Sequence, residues 1–169
     1  TVAPTPRLVT AYAVSDASVY SSRPDEQPGE ELGGALGAGG TDGAVAYITF
    51  SIEGIGGGTV TNAQLVLTGA GDAGNGGSVV GVLPGYWLDE TSAVFTSVPP
   101  ASGPAIDGAG GPVYLPAIAP GQEVRLDVTG TIVGDGVITF IVTGDPAAIA
   151  TFLSRESGVP ARLEITVLD

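Results

Sequence analysis

Apolar and polar residues alternate in short runs along most of the chain. Val124, Leu126 and Val128 share one side of their run, with Arg125 and Asp127 on the other. Ile138, Phe140 and Val142 repeat the pattern, as do Leu163, Ile165 and Val167. Upstream, Ile48, Phe50 and Ile52 alternate in the same way, followed by Ala63, Leu65 and Leu67. Period-two alternation bounded by Gly and Pro marks half-buried antiparallel strands. Further short strands are expected at 8–14, 16–20 and 78–83, from Val94, and weakly over 113–118. One helical turn is expected over 147–153. Roughly nine or ten strands with no convincing helix predict an all-β fold, a two-sheet antiparallel β-sandwich of jelly-roll type with long Gly-rich loops. Residues 1–15 read as an extended, Pro-rich N-terminal segment and possible donor strand, and 16–169 as a single domain.

Composition narrows the chemistry. The chain of 169 residues has 28 Gly, 13 Pro and no Cys, His, Met or Lys. Without Cys there is no disulfide framework and no thiolate ligand or nucleophile. Without His, Ser-His-Asp and Cys-His catalysis and most transition-metal sites are excluded. Without Lys there is no Schiff base. The chain is therefore expected not to be an enzyme. Asp89 and Glu90 could supply two carboxylates for glycoside hydrolysis, but neighbours on a strand point to opposite faces. No apolar run approaches the ~18 residues of a membrane-spanning helix, so no membrane insertion is expected. A first residue Thr1 in place of Met reads as the mature end left by leader removal, an expectation of secretion to the extracellular space or cell surface.

Eighteen acidic residues against five Arg give a net charge of −13. That charge opposes binding to nucleic acid and anionic membranes. It suits a hard divalent cation, above all Ca²⁺, or serves only to keep the surface solvated. The Gly-rich segment 23–43 carries Asp25, Glu26, Glu30, Glu31 and Asp42, and Asp72 lies in a second such segment with Asn75. Asp25, Glu26, Glu30, Asp42 and Asp72 are the candidate Ca²⁺ ligands. No EF-hand spacing fixes a site, and a solvated acidic loop is the other reading.

Six segments, in order, carry a family resemblance. They are Asp16-Ala-Ser-Val-Tyr20, Ala46–Ile52, Gly58–Leu67, Trp87-Leu-Asp-Glu-Thr91, Leu126-Asp-Val-Thr129 and Phe152-Leu-Ser-Arg-Glu-Ser157. Their succession resembles the DNRLRE-type secreted β-sandwich module, related to carbohydrate-binding modules of polysaccharide-degrading enzymes. The chain departs from that pattern at Phe95, where a second Trp is usual, and at Ser97-Val98-Pro99 in place of Asn-Arg-Pro. The resemblance implies a binding surface for polysaccharide, with Tyr86, Trp87 and Arg155 as candidate ligand-binding residues. Each has a structural alternative: Trp87 as a plug between sheets, Arg155 as an ion-pair partner of Asp127 or Asp16.

Two functions follow as expectations. One is a non-catalytic structural subunit that assembles with copies of itself into an extracellular filament or surface matrix. Leu8, Val9, Tyr12 and Val14 would then form an extended strand donated to a neighbour. The alternative reading makes the same residues the first strand of their own sheet. The other function is a carbohydrate-binding module of a polysaccharide-degrading system.

Overall fold

A computed structural model describes residues 3–27, 34–71, 78–100 and 113–169. Ten strands follow one another: β1 (Pro6–Tyr20), β2 (Ala35–Gly39), β3 (Ala44–Ile52), β4 (Thr59–Thr68), β5 (Ser78–Pro84), β6 (Val113–Tyr114), β7 (Glu123–Asp127), β8 (Gly136–Thr143), β9 (Ile149–Leu153) and β10 (Arg162–Leu168). The helical content among the described residues is two 3₁₀ turns, Thr129–Thr131 and Arg155–Ser157. None is long and apolar enough to cross a membrane.

All the pairings are antiparallel. The main path runs β6-β5-β8-β3-β1-β10-β4-β7, with β2 and β9 paired to each other beside it. β1 is shared by two groups of strands. Its first half pairs with β10 from Pro6↔Leu168 to Tyr12↔Arg162, and its second half with β3 from Ala13↔Phe50 to Tyr20↔Ala44. The register slips between Ala13 and Ser15, leaving Val14 as the extra residue of a bulge, a device that bends a strand. The fold is thus all-β and antiparallel as expected. Hydrogen bonding alone does not divide it into two sheets, because β1 joins both groups.

The alternating residues named above do face one interior. Ile48, Phe50, Ala63, Leu65, Leu126, Ile138, Phe140, Leu163, Ile165 and Val167 are all buried in a single apolar cluster. At its centre Phe50 and Phe140 meet edge to face at 5.8 Å between ring centroids. A second cluster lies on the other face of β3 and β8. Val19, Val45, Tyr47 and Ile141 are covered there by Leu88, Ala93 and Val98. This explains why β3 is buried on both faces, and why its sequence is nearly continuously apolar.

Several local expectations are corrected. Segments 8–14 and 16–20 are one 15-residue strand, so β1 crosses the boundary drawn between residues 15 and 16. Residues 149–153 form a strand, not a helical turn, because Phe152 and Ala150 reach the core by alternation. Val94 and Phe95 lie in a turn that Ser97 closes, its Oγ accepting from the Val94 N–H at 3.0 Å. β2, expected as loop, is written in Ala and Gly because its chain meets β9's turn closely. A Cβ added at Gly144 would overlap the Ala38 carbonyl.

Candidate functional site

The slip at Val14 determines what the second half of β1 presents. Beyond it, Asp16 faces the same side as Ile48, its partner on β3, and is buried beside the cleft that Ala35 and Leu36 also line. Two other segments close over it. The turn after Trp87 brings Glu90, whose Oε2 accepts from the Asp16 N–H at 3.1 Å. The 3₁₀ turn after β9 brings Arg155 and Glu156, and the Arg155 N–H donates to Asp16 Oδ2 at 2.8 Å. The Arg155 guanidinium forms an ion pair with Glu90 and lies 3.4 Å from Glu156.

Asp16, Glu90 and Glu156 each bring a carboxylate oxygen within 4.8 Å of the others. They line a cleft of about 380 Å³ with Gln27, Gly34 and Ser154. Asp16 is only 6% exposed, and its Oδ1 has no hydrogen-bond partner among the described residues. Burial is the main cause that pushes its carboxyl up to about 6, and Glu156 and Glu90 add to it. The Arg155 N–H and charge oppose the rise. Chemically, the arrangement offers three oxygen acceptors of high negative charge density and one fixed cation.

The turn that carries Glu90 is held by buried hydroxyls. Ser15 Oγ donates to the Leu88 carbonyl at 2.8 Å, and Thr139 Oγ1 to the Tyr86 carbonyl at 2.7 Å. Thr49 Oγ1 meets Thr139 Oγ1 at 2.6 Å and accepts from the Leu88 N–H at 3.4 Å. Leu88 is the plug of this segment, at 1% exposed, whereas Trp87 stands out at 54%. Trp87 is therefore not a core residue. Tyr86 is half-buried against the second cluster.

Three of the five candidate Ca²⁺ ligands read from the loops, Asp25, Glu26 and Asp42, lie elsewhere. Asp25 Oδ1 accepts from Thr96 Oγ1 at 2.7 Å, Glu26 lies 3.8 Å from Arg23, and Asp42 Oδ1 accepts from Ser22 Oγ at 3.2 Å. None of these three belongs to the acidic group at Asp16. Glu30 and Asp72 lie outside the described residues. Arg155 does act in an ion pair, but with Glu90 and Glu156 rather than Asp127 or Asp16, which only its backbone N–H reaches. Asp127 instead accepts from Thr129, through its N–H at 3.0 Å and its hydroxyl at 2.6 Å. Asp16 and Glu90 were not selected from the sequence as ligands. The signal available was that both sit in the segments that carry the resemblance, next to Arg155-Glu156.

The four assembly candidates fall on β1. Leu8, Val9 and Tyr12 pair with Thr166, Ile165 and Arg162 of the same chain. Val9 packs inward against the core, whereas Leu8 and Tyr12 are 66% and 57% exposed. No protein-family model and no curated protein matches this chain.

Proposed function

We propose that the chain is a non-catalytic, secreted structural subunit that assembles edge to edge into an extracellular filament. The observation that supports this most is the open first half of β1. Among the described residues, Pro6–Tyr12 pairs on one side only, with β10, and carries exposed Leu8 and Tyr12 on the other face from the core. The Ala13 N–H donates to the Ala161 carbonyl at 2.9 Å. By the alternation of an antiparallel ladder, the N–H groups of Leu8, Thr10 and Tyr12 point away from β10 and toward the open side. Such an edge is a template for another strand.

The opposite edge of the same group is β7. The order β1-β10-β4-β7 is antiparallel at each step, so β1 and β7 run in opposite directions. Setting β7 of one copy beside β1 of the next therefore continues the antiparallel alternation without turning either molecule over. A contact between two different edges does not close on itself and propagates into a filament. This replaces donation of residues 8–14 with augmentation of a strand that stays in its own chain.

Electron microscopy and sedimentation of the intact protein test this against the Thr10→Pro variant. Pro at Thr10 removes a donor that faces the open side and leaves the β10 bonds in place. Filaments from the wild type and monomers from the variant are expected. Identical assemblies from both, or monomers from the wild type, contradict the proposal.

A second reading, a polysaccharide-binding module, is favoured by one observation, the exposure of Trp87. An exposed indole can stack on a sugar ring. Binding on a glycan array that is lost in Trp87→Ala would support it.

A further inference from the structure

We propose that Asp16, Glu90 and Glu156 form a divalent-cation site, suited to Ca²⁺, that fastens the turn after Trp87 and the turn Arg155–Ser157 onto β1. An acidic cluster alone would not carry this, since surface carboxylates often gather in an acidic chain. The second observation is Asp16 Oδ1, buried and without a hydrogen-bond partner among the described residues, on a side chain that lines the same cleft. Buried acceptors are satisfied as a rule, and one left open marks a place for something that binds it.

A cation would meet that acceptor better than the protein's own described groups do. Arg155 is the nearby positive charge, and its guanidinium is engaged with Glu90 and Glu156 while only its backbone N–H reaches Asp16, at Oδ2. Three carboxylates against one guanidinium leave a formal charge of about −2, enough to neutralise one divalent ion. The donor set is oxygen only, which selects hard cations, and the chain has no His or Cys to favour softer ones. A spread of up to 4.8 Å between ligand oxygens fits the longer, more adaptable bonds of Ca²⁺. It fits poorly the tight octahedron of Mg²⁺. The site lies on the second half of β1, away from the open edge at Leu8–Tyr12, so it stands apart from the assembly proposal.

Calorimetric titration of the intact, EGTA-treated protein with CaCl₂ tests the site, with MgCl₂ as a comparison. One Ca²⁺ per chain is expected, with a dissociation constant on the order of 10⁻⁴–10⁻³ M, as in extracellular modules. Mg²⁺ should bind at least about tenfold more weakly. Asp16→Asn and Glu156→Gln should each weaken Ca²⁺ at least about tenfold, while a Asp25→Asn/Glu26→Gln double variant should bind like the wild type. Glu156 is exposed, so its variant is expected to fold even if the Asp16 variant does not. Absence of Ca²⁺ binding to the wild type overturns the proposal. So does binding unchanged by Glu156→Gln, which would place the ion elsewhere.

Discussion

The backbone N–H of Arg155 donates to Asp16 Oδ2 at 2.8 Å, joining the first strand to a turn 139 residues later in the chain. The bond fixes one oxygen of a carboxylate whose other oxygen has no partner among the described residues.

In metal-free buffer, Asp16 should make the protein less stable as pH rises. Its carboxyl is pushed from an ordinary 3.8 up to about 6, mainly by burial. The folded state thus keeps a proton that the unfolded state releases between about pH 4 and 6. The group favours folding below that window, and this contribution is lost as pH rises through about 6. The span corresponds to at most on the order of 3 kcal/mol. Urea unfolding in EGTA should therefore show Asp16→Asn gaining on the wild type by about 1–3 kcal/mol between acidic and neutral pH. Parallel pH profiles for the two proteins would refute this.

The hydroxyl pair of Thr49 and Thr139 should be a coupled unit. Thr139→Val strands the Tyr86 carbonyl and removes the partner of Thr49, at a cost of about 1–3 kcal/mol. The double Val variant should cost less than the sum of the two single ones, because it removes both halves of the pair. Chemical denaturation measures all three. Strict additivity would mean that the 2.6 Å contact contributes nothing.

Trp87→Ala should change stability by about 0.5 kcal/mol or less, as at other exposed positions. The chain has one Trp, so its fluorescence reports this residue alone. Red-shifted emission that acrylamide quenches readily is expected in the native state. Blue, protected emission would return Trp87 to the interior.

Gly144→Ala should be much more damaging than an exposed Gly replacement. Its Cβ would strike the Ala38 carbonyl and the Gly39 amide, both backbone atoms with no rotamer to yield. A loss of about 1–3 kcal/mol or more is expected on thermal or urea unfolding. A Gly57→Ala control, where the space is open, should stay close to the wild type.

The sequence was legible where burial is one-sided. β7 and β10 alternate because one face meets the core and the other meets water, so their inward residues could be named directly. β2 was not legible, since Ala and Gly serve close backbone approach and carry no periodic signal. Whether Trp87 plugs the core or stands out was left open by its size, and Leu88 gave no signal of its own, because the direction of a turn residue is decided by the hydroxyls that hold its carbonyls. The acidic cluster was hidden for a related reason. Asp16, Glu90 and Glu156 are brought together by one bulge and two turns, and no local spacing encodes that meeting.

The central claim, that the β1 edge of one copy meets the β7 edge of the next, is tested most directly by cross-linking. The chain has no Cys, so introduced thiols are unambiguous. Thr10→Cys protein is mixed with protein carrying Cys at Glu123, Arg125 or Asp127 in turn, and the mixture is mildly oxidised. Neighbouring strands hold Cα atoms about 4.5–5.5 Å apart, within disulfide reach. The expected result is a Thr10Cys–β7Cys heterodimer for at least one of the three positions. Its absence at all three, or cross-links between two Thr10→Cys chains alone, would contradict head-to-tail assembly.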